Sequence, residues 1–270
     1  MKKYSRVVLV ILMGVFGFLA FGPFTEPAHA QVQQYQEYDG IMLFYTPKDV
    51  AVYRALLPAV FDLPDQPLVE VFFFDFYKMA PWTLDPYQEA GVSLMGTYKG
   101  KKIWHCITMP VTSDTARING IRNQGYPKVL ADVAFVRKDP LFSGILKAKG
   151  KTIMELTLNT EGRTVGPGER DWFVHLTGIP SLNLLNGKLI DPMPRLGEAR
   201  VNILDLSEKY PRVFRVQVGK ASLTTLTENA PKAGDWRPKA FAIGAKEIVL
   251  AYYFQNKHGF SFGANKVVSE

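Results

Sequence analysis

The chain has 270 residues, 47% of them apolar and 13% aromatic, enough to bury a substantial core, with a net charge of +7. Its basic residues are scattered rather than gathered into a stripe with interleaved aromatics, which argues against nucleic acid as a partner. A single cysteine, Cys106, excludes an internal disulfide framework.

The N-terminus begins Met1-Lys2-Lys3-Tyr4-Ser5-Arg6, a short positive segment. Val7 to Phe21 is then apolar apart from two glycines, and Ala28-His29-Ala30 precedes Gln31. Positive, apolar, then Ala-x-Ala is the order of a signal peptidase substrate. The apolar run falls short of the roughly 20 residues that span a bilayer as a helix. A cleavable signal peptide is therefore expected over residues 1–30, cut after Ala30, with signal peptidase and the export machinery as partners. Residues 31–270 are expected to form one exported domain, periplasmic or secreted, and soluble after cleavage. Lys2, Lys3, Arg6 and Glu26 account for +2 of the charge, so +5 remains, which fits an anionic small molecule or a membrane surface equally well.

Thr46-Pro47-Lys48-Asp49 looks like a helix start, with Thr46 as the cap and Pro58 ending the helix after Leu57. Val69–Tyr77 is rich in aromatic and β-branched residues and reads as a strand. Val92–Tyr98 and Ile103–Val111 read as a hairpin around Lys99-Gly100-Lys101-Lys102. Further strands are expected at Val129–Arg137, Thr152–Leu158, Trp172–Thr177, Arg200–Leu204, Val213–Val218 and Glu247–Phe254. Gly162, Gly166 and Gly168 read as a hairpin loop. Many short strands and few helical patterns favour a mostly antiparallel sheet or barrel.

Chemistry-bearing motifs are sparse. His105, His175 and His258 lack the paired spacing of a metal site, and no Gly-x-Ser-x-Gly occurs, so neither a metal nor a cofactor is expected. Cys106, within the apolar stretch Ile103–Pro110, reads as a small buried hydrophobe. One junction is more informative. Thr112-Ser113-Asp114 can cap a helix running to about Gln124, with Ala116, Ile118 and Ile121 as packing residues. Gly125 suits a left-handed terminator and Pro127 forbids continuation. Lys128 then stands where the helix gives way to Val129–Val136, a strand expected to be buried on both faces. A lysine in a turn is usually solvated, so position alone assigns it no role.

Gly120-Ile-Arg-Asn-Gln-Gly125-Tyr126-Pro127-Lys128 resembles the active-site segment of the acetoacetate decarboxylase family, in which a Gly-Phe/Tyr-Pro-Lys-Lys motif follows a Gly-Arg-Glu. Pro86-Tyr87-Gln88-Glu89-Ala90-Gly91-Val92 is similar to the family's glutamate segment, and Tyr45 through Pro58 to its helix leading to Leu-Pro. The resemblance implies that Lys128 forms a Schiff base with a keto acid and that Glu89 orients the amine or moves protons. It also implies an amine freed by desolvation or by a neighbouring cation. Free lysine has a pKa of about 10.4, so only about one in 2,500 is neutral at pH 7. The chain departs from the pattern at four places. The second lysine is Val129, the Arg-Glu pair is Ile121-Arg122, Asp39 stands near an expected arginine, and the glutamate of the Val69–Tyr77 strand reads as Phe72. Burial alone is therefore expected to activate Lys128.

The fold expected on this basis is mainly β (α+β): a cone-like, mostly antiparallel β-barrel with small flanking helices, assembled as a homo-oligomer. The expected function is that of a Schiff-base-forming carbon–carbon lyase, a carboxy-lyase acting on a small keto acid. Lys128 is its nucleophile, Glu89 the assistant, and Arg122 a candidate for the substrate carboxylate. The alternatives are an imine-dependent aldolase or dehydratase, and a non-catalytic exported barrel that binds a small organic acid or lipid fragment.

Overall fold

Aromatic and β-branched side chains run through long stretches of the chain, and those stretches form strands. The structure, a computed structural model, describes residues 34–80, 85–192, 196–257, 260–261 and 266–268. The expected signal peptide, its cleavage point after Ala30, and His258 lie outside the described residues.

The elements in order are β1 (Gln34–Pro47), α1 (Val50–Leu56), β2 (Val69–Met79), β3 (Tyr87–Tyr98), β4 (Lys101–Val111) and α2 (Asp114–Gln124). There follow β5 (Lys128–Leu130), β6 (Asp132–Lys138), β7 (Leu141–Ala148), β8 (Lys151–Asn159) and α3 (Pro167–Gly178). Beyond them lie β9 (Asn183–Leu185), β10 (Lys188–Asp191), α4 (Leu196–Lys209), β11 (Phe214–Val218), β12 (Lys220–Thr225) and β13 (Ala245–Asn256). Two short strands, β14 (Phe260–Ser261) and β15 (Lys266–Val267), complete the set.

The main sheet runs β11-β13-β1-β2-β3-β4-β5, with β14 also on β1. Its β4–β5 pairing is parallel and the other pairings are antiparallel, so the sheet is mixed. A second sheet runs β12-β8-β7-β6 and a third β15-β10-β9. The main path is open at both ends, and no closed barrel is detected among the described residues. The architecture is mainly β with small helices, as expected at that coarser level.

Period-2 alternation divides the side chains of the main sheet between two cores. On β1, Ile41, Leu43 and Tyr45 enter the first core, while Tyr38, Met42 and Phe44 enter the second. The first core lies between the main sheet and the four-stranded sheet, where Val71 and Phe73 meet Phe142, Leu156 and Leu158. Gly144 lets the Phe73 ring pass, since a Cβ there would lie 2.1 Å from it. The second core occupies the other face, where α3 supplies Phe173 and Leu176 and α4 supplies Ile203 and Leu204. Among the described residues no helix is long and apolar enough to cross a membrane.

Several elements differ from the sequence reading. Trp172–Thr177 is helical within α3 and Arg200–Leu204 within α4. The buried residues Phe173, Leu176 and Thr177 recur at helical spacing, and a short apolar run does not by itself separate helix from strand. Gly166 and Gly168 belong to the start of α3 rather than to a hairpin loop, and the Glu169 carboxylate accepts from the Gly166 N–H at 2.9 Å. Helix α1 is capped by Asp49, whose carboxylate accepts from Ala51 and Val52 N–H, because Thr46 is still in β1. Val129–Arg137 is not one strand. It breaks at Ala131, with β5 joining the main sheet and β6 the four-stranded one, so β6 is buried on one face and Ala134 and Val136 are exposed.

Candidate active site

The segment from α2 to β5 is fixed by backbone chemistry. Ser113 caps α2 by accepting from Ala116 N–H at 3.2 Å. Gly125 ends it in the left-handed conformation, φ 64° and ψ 20°, which costs glycine little. A Cβ at Gly125 would also press to 2.9 Å from the Leu184 carbonyl oxygen. Lys128 follows Pro127 as the first residue of β5, beside Met109 of β4.

From there the Lys128 side chain lies back across α2 at Gly120. A Cβ on Gly120 would sit 2.5 Å from both Cδ and Cε of Lys128, so the glycine is the space the lysine occupies. The Lys128 amine donates to Glu89 Oε2 at 2.9 Å, and the two side chains are only 5% and 8% exposed. Its Nζ also lies 5.5 Å from the Tyr87 ring centre and 5.9 Å from that of Tyr126. Aromatic faces favour a nearby cation. In its buried position Lys128 therefore meets a carboxylate and two aromatic rings.

Glu89 stands on β3 between Phe74 of β2 and Val111 of β4. It shares the second-core face with Tyr87, Gly91 and Met95. Phe72 lies opposite Gly91, where a Cβ would fall 2.2 Å from its ring, and its ring stacks on Phe74 at 4.5 Å. Alternation puts Glu70 on this face as well, two residues before Phe72, with only 3% of its surface exposed. Sequence reasoning missed Glu70. The available signal was an acidic residue inside an otherwise apolar strand, a pattern that solvent alone does not explain. Burial above all, and then the nearby carboxylates Glu70 and Glu89, pushes the Cys106 thiol well above its ordinary range. That shift favours the neutral thiol over the nucleophilic thiolate.

The structure brings Lys128 and Glu89 together and leaves Arg122 outside. The residues that α2 buries are Ala116, Gly120 and Gln124, and two residues of helix turn Arg122 about 200° from Gly120. Arg122 is exposed, so its candidacy for the substrate carboxylate is not supported by its position. Asp39 is fully buried on the opposite face of the main sheet, with Ile41. It accepts from Arg137 at 2.5 and 2.8 Å and from the Tyr253 hydroxyl at 3.0 Å, and Arg137 also pairs with Asp75. Burial raises the Asp39 pKa and Arg137 opposes the rise.

His105 is buried, with Nδ1 2.9 Å from the Leu182 carbonyl oxygen, whereas His175 is exposed. Among the described residues no group of three or more His, Cys, Asp and Glu side chains could hold a metal ion. A separate groove of about 450 Å³ crosses the four-stranded sheet between Lys138 and Lys220 and includes neither Lys128 nor Glu89.

Fold and site together define a mainly β protein with a buried amine–carboxylate pair at a helix–strand junction. The acetoacetate decarboxylase (ADC) family matches residues 19–269, and the chain belongs to that family. No curated protein matches the sequence. Among solved structures, an acetoacetate decarboxylase from Legionella pneumophila shares 18% identity at a TM-score of 0.68, over 91% of this chain and 93% of that one. The enduracididine biosynthesis enzyme MppR complexed with pyruvate shares 16% identity at 0.62, over 95% and 99%. An acetoacetate decarboxylase-like enzyme from Sphingomonas wittichii RW1 shares 17% at 0.58, over 87% and 92%. At these identities the likeness establishes the fold.

Proposed function

We propose that the protein is an imine-forming carbon–carbon lyase of the acetoacetate decarboxylase type, in which Lys128 attacks a carbonyl carbon and Glu89 carries the proton. The observation that carries this reading is the 2.9 Å Lys128–Glu89 pair, buried and held across Gly120, in a chain of that family. In the resting pair the amine donates a proton in a hydrogen bond to the carboxylate. Passing it to Glu89 frees the lone pair, and the returned proton helps the carbinolamine oxygen leave as water. The resulting iminium withdraws electrons from the adjacent carbon–carbon bond. Support also comes from MppR, which a solved structure contains with pyruvate, a keto acid.

Borohydride trapping tests the proposal. The protein is incubated with acetoacetate, pyruvate and uncharged ketones, reduced, and mapped by mass spectrometry. An adduct at Lys128 that is lost in Lys128→Met is expected. Its absence across the panel would leave the non-catalytic binding reading. We further propose the cone-like barrel, a homo-oligomeric assembly, and export of the protein by a signal peptide over residues 1–30. The amino-acid order of that segment supports export, and the family pattern supports the other two.

A further inference from the structure

Helix α2 ends on a carbonyl that its own turn does not satisfy. The last carbonyls of a helix take their partners from outside it. The Gln124 carbonyl takes its partner from Asn183 of β9, whose side-chain nitrogen donates to it at 3.0 Å. Asn183 is fully buried. A carbonyl can only accept, so the amide turns its nitrogen toward Gln124, and Oδ1 is left without a hydrogen-bond partner among the described residues. An unpaired buried amide oxygen lowers stability, so an apolar residue would suit this position at least as well if packing were its only task.

The contact bears on the chain beyond Gln124. Gly125 turns left-handed against β9, where a Cβ would lie 2.9 Å from the Leu184 carbonyl oxygen. Tyr126 N–H then donates back to the Gly120 carbonyl at 3.1 Å, and the Pro127 carbonyl accepts from Met109 N–H at 3.0 Å. Lys128 follows, and its stem lies in the recess at Gly120. Gly120 thus holds the turn through its carbonyl and admits the lysine through its missing side chain. The approach to β9 is itself fixed to β4: Trp104 N–H donates to the Pro180 carbonyl and Leu182 N–H to the Trp104 carbonyl, both at 2.8 Å. Strand β4 therefore grips the segment twice, directly at Pro127 and through Asn183 at Gln124.

We infer that Asn183 is a positioning residue, whose amide fixes the end of α2 so that the Gly120 recess presents the Lys128 amine to Glu89. The inference rests on the imine-forming reading above. Asn183 acts through the helix end. Gly120 lies one turn before Gln124 on the same buried face of α2, so a shift at Gln124 is carried to the recess. Without the Asn183 donor, the Gln124 carbonyl is left buried and unpaired. The helix end relieves that by moving, and a displacement of about 1 Å at a reacting group can cost about 100-fold in rate.

The test reads the rate of Lys128 adduct formation with acetoacetate, pyruvate and acetone under borohydride, by mass spectrometry. Asn183→Leu keeps the volume and removes both the donor and the unpaired oxygen. Its urea midpoint should stay within about 0.5 M of wild type, whereas adduct formation should slow about tenfold. Asn183→Ser, polar but too short to reach Gln124, should show the same slowing and covers the case of a leucine that does not fit. Ile190→Val, at the position paired with Asn183 on β10, trims the same sheet and removes no hydrogen bond, so it should trap within about twofold of wild type. Combined with Gly120→Ala, Asn183→Leu should slow trapping little further, because both changes disturb one alignment. A merely structural loss would instead multiply with that of Gly120→Ala. Wild-type rates in both Asn183 variants, an equal loss in Ile190→Val, or multiplying losses would each overturn the inference and leave the imine reading standing. No Lys128 adduct in the wild-type protein with any of the three compounds would overturn both.

Discussion

Replacing Gly120 with alanine would place a methyl group 2.5 Å from both Cδ and Cε of Lys128. Carbon atoms in contact settle at about 3.5–4.0 Å, so the lysine stem must retreat by about 1 Å or more. Its amine would then leave the 2.9 Å contact with Glu89. Two opposing effects act on stability. Alanine is the better helix former by about 1 kcal/mol at an interior position. Overpacking a buried site costs about 1–3 kcal/mol. The net change should be a loss of about 0–2 kcal/mol, small enough to leave a folded protein. Reactivity should suffer far more, because about 1 Å of misplacement can cost about 100-fold in rate. Urea unfolding and borohydride trapping on the same preparation separate the two. A Gly120→Ala protein about 1 kcal/mol more stable than wild type, with undiminished trapping at Lys128, would show only helix propensity at work and refute the steric argument.

Four other outcomes are expected. Glu89→Gln leaves a buried amine without its carboxylate and should cost about 3–5 kcal/mol in urea unfolding. Arg122→Ala, on the exposed side of α2, should leave trapping at Lys128 within about twofold of wild type, and a larger loss would return Arg122 to the site. Arg137→Met should destabilise by up to about 3 kcal/mol at pH 7, less than for a fully buried cation, and the loss should shrink at pH 4.5 as Asp39, its pKa raised by burial, protonates. His105 gives a pH dependence of known sign. Burial lowers its folded pKa below 6.5, so the folded state keeps the imidazole neutral while the unfolded chain takes up a proton. Stability from this group is present above about pH 6.5 and falls as pH drops below it, by at most about 1.4 kcal/mol per pH unit. Asp39, raised by burial, gives a slope of the opposite sign between its unfolded and folded values. The comparison of wild type with His105→Phe over pH 5–8 isolates the histidine, and identical slopes would refute its role.

The surroundings of Lys128 were legible because they depend on local backbone chemistry. Ser113, Gly125 and Pro127 mark the ends of α2 through capping, positive φ and a missing N–H. Those features place Lys128 at the start of a strand from the amino-acid order alone. The exposed position of Arg122 was not legible, because its helical face is set by what α2 packs against. Glu70 was passed over because the strand was matched at Phe72, although both residues point to one side. Strand against helix failed at Trp172–Thr177 and Arg200–Leu204, where short apolar runs carry no decisive period. The strands β1, β7 and β12 went unread because each mixes polar and apolar residues and owes its place to neighbouring strands.

Val129 and Asp39, two positions where the chain departs from the resembling pattern, both lie off the face that holds Lys128 and Glu89. Successive residues on a strand point to opposite faces, so Val129 and Lys128 of β5 look away from each other. Asp39 likewise sits on the far face of β1, tied to Arg137 and Tyr253. Neither departure inserts a side chain between Lys128 and Glu89. Substitution at these positions can therefore change the electrostatic surroundings of the amine while the pair, its Gly120 recess and its aromatic neighbours stay in place. In such a scaffold the lysine and its environment can vary separately. The reaction common to the family and the substrate of one member are then separate questions, and the second is decided by the residues facing the amine rather than by the lysine itself.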